Sequence, residues 1–513
     1  MFLRRFVSAL VVWCMFCASA HAAGVSSSLP LNSWVYSAFD RLAASGAVQS
    51  SLSGNRPYTR SEAARLVVEA EVHLLPDRGA SDINQKLITR LKKEFADDIQ
   101  ATSPSAAKSY FKPITQVALR YDYRDGQPTT IPRTNARQFA LDYNNQGKDY
   151  SENHNAELGL ISELRFSDWF LFSWQPYLSY LENNDSQAES HFGTRYSKLA
   201  LQLFAFEFSV GRQPLWWGRG RHGSLVLSNN AEPLDMLRVT NPSPIILPWI
   251  FGLLGPARLD VFWSRLETER RVAEPYFAGM RIDVKPLPWF ELGASRCVIF
   301  GGEGRPHVDA SEFVTILTGK NLSGGEDTSN SVAAVDFRLH LPFLWNAEFY
   351  AEIGGEDEAG YWIANMASLV GLYLPVIEPS GRLSLRLEYA DLSSIDNNSP
   401  VWYRHGIYRS GYTYKGKILG HHVGGGAEDR YIALDWWLTE RVQVTLGYDE
   451  EKRGYDQAVL EKHRQPFVAV DWMVTSDWQL KASYANDSIE NVGYVAGADR
   501  TDHAASFSVT RLW

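Results

Sequence analysis

The chain is poor in cysteine, with 3 in 513 residues. Cys14 and Cys17 stand in an opening apolar run, Phe6 to Phe16, preceded by Arg4 and Arg5 and followed by Ala20-His21-Ala22. That order reads as a secretory leader over residues 1–22, to be left out of fold reasoning. Neither cysteine follows a lipoprotein-type pattern. Cys297 then stands alone, which excludes an internal disulfide and a thiolate metal cluster. A second lack is any later run approaching the ~20 apolar residues of a spanning helix. A third is positive charge. Lys and Arg number 50 against 59 Asp and Glu, a formal net charge of −9, or about −11 without the leader arginines. Nucleic acid, which needs clustered cations to displace counterions, is not an expected partner.

What is abundant is aromatic: 13% of residues, including 17 Trp and 24 Tyr. Trp and Tyr favour membrane interfaces and also stack on sugars. From about Tyr110 onward the hydropathy alternates with a period of two. Leu383, Leu385, Leu387 and Tyr389 face away from Arg382, Ser384, Arg386 and Glu388. Val442, Val444, Leu446 and Tyr448 do the same against Gln443, Thr445, Gly447 and Asp449, as do runs at 157–166, 170–180 and 478–484. These are strands with one apolar and one charged face. A soluble sandwich could not place those charges in a dry core, whereas a barrel lumen can. The last strand carries Phe507, Val509, Arg511 and Trp513 on one face, the ending expected of an outer-membrane barrel. Arg511, near the rim, is expected to snorkel to the headgroups.

Tight connections such as Ser167-Asp168-Trp169, Ser476-Asp477-Trp478, 285–289 and 439–441 alternate with long polar ones at 143–155, 301–309, 319–331 and 391–429. Several tight turns place an aromatic one step into the next strand, where an interfacial girdle belongs. About 400 residues at roughly 22 per strand and connection give about 18 strands. Ahead of them the pattern is helical from about Asn32 to Gln100. Asn32 or Ser33 caps a first helix (Val35, Phe39, Leu42) ended by Gly46. Thr59 and Glu62 form a capping box for a second. Ile83, Leu87, Leu91 and Phe95 stripe a third. The stretch from Ala101 to Ala107 reads as a linker. The expected architecture is a transmembrane antiparallel β-barrel over 110–513, with a small α-helical bundle over 30–107 on its periplasmic side.

Two segments break the alternation. Gly211 to Asn230 gathers Arg212, Trp216, Trp217, Arg219, Arg221 and His222 in a Gly-rich stretch. It reads either as a sugar-binding patch, with rings to stack and guanidiniums for acidic groups, or as a constriction loop whose arginines pair with wall carboxylates. Trp402 to His422 interleaves Trp402, Tyr403, Arg404, His405, Tyr408, Tyr412 and Tyr414 with glycine. It reads as a carbohydrate-reading loop or as a packed loop that plugs the mouth. These thirteen residues are the candidate polysaccharide-binding set.

The stretch from Trp216-Trp217-Gly218 to His222-Gly223-Ser224 and Leu227-Ser228-Asn229-Asn230 resembles the central signature of the Wzi-type capsule assembly family. The run from Gly411-Tyr412-Thr413-Tyr414-Lys415-Gly416 to Gly420-His421 resembles its later one. Asn32-Ser33-Trp34-Val35-Tyr36 and Arg56-Pro57-Tyr58-Thr59-Arg60 resemble its helical start. The resemblance spans nearly the whole chain after the leader. It implies an outer-membrane, lectin-like protein that attaches or organises capsular polysaccharide or exopolysaccharide at the cell surface. The implied partners are that polysaccharide, outer-membrane lipid and other polysaccharide-export proteins. The alternatives are a porin for small solutes and a polysaccharide-modifying enzyme.

No catalysis is expected. Gly-x-Ser-x-Gly and His-Glu-x-x-His are absent, and Gly411 to Lys417 has phosphate-loop spacing but Ile418 where Ser or Thr is needed. Paired carboxylates for glycoside hydrolysis cannot be identified by spacing alone. His421-His422 with Glu428-Asp429 offers metal-ligand types, but adjacent histidines on a Gly-rich loop are a weak signal. No metal and no cofactor are expected.

Overall fold

The computed structural model describes residues 24–74, 82–101, 109–131, 134, 136–139, 141–182, 188–306, 308, 329–356, 366–396 and 399–513. The expected leader, nearly all of the expected linker and most of 319–331 lie outside the described residues.

The helices begin where side chains can satisfy their first N–H groups. The Ser33 hydroxyl accepts from the Val35 N–H to cap α1 (Trp34–Ala44), and Gly46 at φ +77° turns the chain after it. Thr59 caps α2 (Arg60–His73) by accepting from the Glu62 N–H. Glu62 does not complete the reciprocal box, because its carboxylate is taken by Arg65 at 2.7 and 2.8 Å. α3 (Asp82–Glu94) and the short α4 (Ala96–Ala101) follow. Val35, Phe39, Leu42, Leu66, Val67, Leu87, Leu91 and Phe95 bury one another in a common apolar core that also takes Trp437 from the barrel wall. Burial of each such side chain stabilises by about 1.5–3 kcal/mol.

Eighteen antiparallel strands close into a barrel. They are β1 (Tyr110–Arg124), β2 (Asn153–Phe166), β3 (Phe170–Glu182), β4 (Ala188–Leu203), β5 (Phe206–Gln213) and β6 (Leu234–Thr240), then β7 (Pro256–Arg265), β8 (Tyr276–Leu287), β9 (Phe290–Phe300), β10 (Ser329–Leu341), β11 (Ala347–Glu356) and β12 (Ala367–Leu374). The circuit is completed by β13 (Leu383–Asp391), β14 (Ala427–Thr439), β15 (Val442–Arg453), β16 (Glu461–Met473), β17 (Trp478–Glu490) and β18 (Arg500–Leu512). β1 pairs with β18 from Gln116 opposite Leu512 to Arg124 opposite Ala504, and the Trp513 N–H donates to the Thr115 carbonyl at 3.0 Å. Closure leaves no open sheet edge, which hydrocarbon would not tolerate.

The wall is inverted relative to a soluble protein. On β13, Ser384, Arg386 and Glu388 are buried while Leu387 is exposed. Exposed Leu158, Leu178, Leu237, Ile432, Leu446 and Phe507 continue the apolar outer face on other strands. Trp169, Trp289, Trp345, Trp478 and Trp513 are exposed around the tight-turn end, as an interfacial girdle requires. The Arg511 guanidinium lies over the Trp478 and Trp513 rings at 5.3 and 4.7 Å. Short turns mark this end as periplasmic and the long loops mark the other as external. The helices occupy the periplasmic end. Arg41 of α1 donates to the Pro375 carbonyl at 2.8 Å and to that of Gly381, both in the β12–β13 turn. Arg90 of α3 donates to Glu440 O at 2.5 Å in the β14–β15 turn.

Candidate functional site

The segment after β5 leaves the wall and folds into the lumen. Trp216 and Trp217 pair antiparallel with Arg56 and Asn55, so the N-terminal region and this loop share a short ladder. The Gly218 N–H donates to the Gly54 carbonyl at 2.9 Å. Gly218 sits at φ +146°, and a side chain there would meet the Ser224 hydroxyl and the Glu352 carboxylate.

Past Gly218 the loop has no regular structure, so its N–H groups need other acceptors. Two wall carboxylates supply them. Glu352 of β11 accepts from the N–H of Arg219 (2.5 Å), Gly220 (2.9 Å) and Leu225 (2.9 Å). Glu388 of β13 accepts from the N–H of Arg221 (2.7 Å) and His222 (2.9 Å). The Arg219 guanidinium meets Asp336 at 2.6 Å, Asp283 at 3.3 Å and Glu291. Arg281, Arg338 and Lys285 share those carboxylates. The segment is therefore the constriction loop, and much of the lumen's charge is matched by protein rather than by water.

The later segment packs on the outside of the first. The Tyr403 hydroxyl donates to Leu225 O at 2.7 Å and accepts from the His421 N–H at 2.8 Å. The Tyr412 hydroxyl donates to Val226 O at 3.1 Å, and the Ser228 N–H donates to Leu419 O at 2.9 Å. Tyr403 and Tyr412 stack at 5.5 Å, with Trp402 edge-on to Tyr403. Tyr408 donates to Gly301 O at 3.1 Å, and the His405 Nδ1 accepts from the Ile407 and Tyr408 N–H groups. Arg270 donates to the carbonyls of Thr413 (2.9 Å) and Gly411 (3.0 Å), tying the β7–β8 loop to the same cap.

The expected set thus comes together, but its rings face inward. Trp216, Trp217, Trp402, Tyr403, Tyr408, Tyr412 and Tyr414 are all buried, in one apolar cluster apart from Trp216. The rings cover one another because loop-on-loop folding removes apolar surface from water. Arg219 and His222 are buried, and Arg221 reaches back to Asp40 of α1 at 2.6 Å. Arg212 is held at the rim by Asp235 at 2.7 Å, and Arg404 contacts Asp456 at 3.3 Å. Exposed on the cap are Arg409 and Lys415, with Arg404 and Ile407 half-buried between the rings and solvent. Composition alone did not reveal Glu352 and Glu388 as anchors. Their inward side was readable from period two, but their partners lie more than a hundred residues away.

In the periplasmic half, a cavity of about 400 Å³ lies between α1 and the inner faces of β13 to β18. Trp34, Asp40, Arg221, Arg386, Tyr431 and Lys481 line part of it. Burial opposes ionisation of the Asp40 carboxyl, but Arg221 and Arg386 beside it hold it below the usual carboxylate range. Nearer the outside, burial and then the neighbouring His422 and His222 rings push the His421 imidazole well below its ordinary value.

A sequence model of the family "Capsule assembly protein Wzi" matches residues 123–504. An "uncharacterized 55.8 kDa protein in cps region" of Klebsiella pneumoniae is 33% identical over 178 residues, 34% of this chain and 35% of that protein. The match therefore spans about a third of the relative's length. The solved structure of Wzi from Escherichia coli superposes with a TM-score of 0.72 at 20% identity, covering 96% of this chain and 100% of that one. That protein is described as an outer-membrane, carbohydrate-binding β-barrel involved in group 1 capsule assembly. At this identity the likeness speaks for the fold. The apolar outer wall, the aromatic girdle and the family match together locate the present protein in the bacterial outer membrane.

Proposed function

Because the chain belongs to the capsule assembly protein Wzi family, we propose that it is a lectin-like protein that binds capsular polysaccharide or exopolysaccharide at the cell surface. The observation that carries this reading is the filled lumen. Among the described residues, a loop anchored on Glu352 and Glu388 and a second loop packed on it occupy the interior. A porin needs an open path, so this filling disfavours the porin alternative. It leaves the outer face of the cap as the working surface. The buried rings then serve as scaffold rather than as sugar platforms. Exposed Arg409 and Lys415, with half-buried Arg404 and Ile407, would make the contact. Their cationic character suits a polysaccharide bearing carboxylate or phosphate groups. No catalysis is assigned.

Retention of the detergent-solubilised protein on immobilised polysaccharide from the producing strain tests this. Arg409→Glu with Lys415→Glu should weaken retention about tenfold or more, since each lost charge-assisted contact is worth roughly 1.5–3 kcal/mol. Heat-modifiable gel mobility should be unchanged. Equal retention by wild type and the double variant removes the cap as the binding surface. Release of shortened glycan during incubation would instead favour the enzyme alternative.

A further inference from the structure

A cluster of imidazoles and carboxylates lies where the lumen loops meet the wall. His222 comes from the first loop and His422 from the second. Asp429 lies on β14 and Asp449 on β15. The ladder pairs Asp429 with Glu451 and Tyr431 with Asp449, so both acids reach the lumen side by side. One ligand-type atom from each of His222, His422, Asp429 and Asp449 falls within 4.8 Å of the others, and all four residues are buried. His222 Nε2 is 2.9 Å from Asp449 Oδ2 and 3.5 Å from Asp429 Oδ2. His422 Nε2 is 3.1 Å from Asp429 Oδ2. Four nitrogen and oxygen ligands about 2.0–2.2 Å from a tetrahedral zinc ion stand roughly 3.3–3.5 Å apart. Three of the distances in the cluster, 2.9, 3.1 and 3.5 Å, are close to that spacing, and the others lie within 4.8 Å.

A second observation is independent of the spacing. Both ring nitrogens of His422, Oδ2 of Asp429 and Oδ1 of Asp449 are buried with no hydrogen-bond partner among the described residues. Those three residues are at most 1% exposed. Buried polar atoms are ordinarily paired, so His422 Nε2 beside Asp429 Oδ2 calls for a shared partner, one nitrogen of the ring being all that can point at an ion. The surroundings are also built to hold the rings. Tyr431 stacks on His222 at 4.0 Å, and Tyr143 and His421 stack on His422 at 4.4 and 4.6 Å. Glu451 Oε1 also lies 3.2 Å from His422 Nε2, while Arg453 pairs with its other carboxylate oxygen.

We propose that His222, His422, Asp429 and Asp449 bind one divalent transition-metal ion, with zinc the best match, and that the ion staples both lumen loops to β14 and β15. Two imidazoles with two carboxylates select zinc-like ions over magnesium or calcium, which prefer all-oxygen sites. Binding displaces any proton shared between His222 and Asp449 to solvent, since both atoms must be free to coordinate. Because the site is buried, loading accompanies folding.

The test is zinc content of the full-length protein carrying no histidine tag, isolated from membranes and also refolded into detergent with ZnCl₂. The expected result is about one zinc per chain, falling tenfold or more in Asp429→Asn and His222→Gln. Refolding with Co²⁺ should give the visible ligand-field bands of a tetrahedral site in wild type, lost in both variants. A wild type with no zinc above a protein-free micelle blank in both preparations overturns the proposal. So does wild-type stoichiometry in both variants. If neither variant assembles, the cobalt spectrum of wild type decides, and absence of tetrahedral bands overturns the proposal.

Discussion

Two plugs fill this barrel, and they are built on opposite principles. At the periplasmic end, helices satisfy most of their own backbone groups and present apolar stripes to one another. From the wall they take one packed ring, Trp437, and tethers such as those of Arg41 and Arg90. At the external end the loops satisfy few of their own groups. The wall therefore lends carboxylates to backbone N–H groups, and the second loop lends hydroxyls and carbonyls to the first. A plug with little secondary structure is only as stable as its borrowed partners, so the two plugs should fail differently when single residues are changed.

The largest effect is expected from Glu352→Ala. It orphans three buried N–H groups, each worth on the order of 1–3 kcal/mol. The 214–231 loop should become cleavable by trypsin after Arg219 or Arg221 in intact proteoliposomes, while the helices keep their protection. Equal protection of loop and helices would break the distinction between the plugs. Next is Arg219→Ala, which leaves Asp283, Glu291 and Asp336 with one cation fewer. Breaking a buried ion pair costs about 3–5 kcal/mol. The midpoint of urea unfolding in detergent should fall accordingly, and a change within error would contradict the network's role.

Smaller still is Asp40→Asn, which weakens the tethers from the helix to the loop through Arg221 and to β13 through Arg386. The loss should be about 1–3 kcal/mol at neutral pH. Folding lowers the Asp40 carboxyl's pKa, so its contribution is full above the unfolded value near 3.9 and disappears as pH falls through the depressed folded value. Wild type and variant stabilities should therefore begin to draw together only below about pH 4 and meet once pH is below the depressed folded value. A gap that persists there would assign the effect to packing.

The barrel and the helices were legible because their signals are local. Period two placed Leu387 outward and Arg386 inward, and Ser33, Thr59 and the Ile83 to Phe95 stripe marked helix starts and faces. The second half of the capping box was not legible, because Arg65 competes for Glu62. The candidate loops were found by composition, but which way their rings point was not. Trp217 and Tyr412 are as compatible with sugar as with each other until the loops are folded together. The anchors Glu352 and Glu388 could be placed inward but not matched to a distant backbone. The grouping of His222, His422, Asp429 and Asp449 was not legible for the same reason. His421-His422 was visible, whereas His222 arrives from two hundred residues upstream and Asp449 from a different strand.

Single-channel recording in planar bilayers tests the borrowed-partner plug most directly. Wild type should insert with near-zero conductance, and Glu352→Ala should open in discrete steps. Steady ohmic current through wild type, or a variant as silent as wild type, would contradict a lumen closed by loops hung on wall carboxylates.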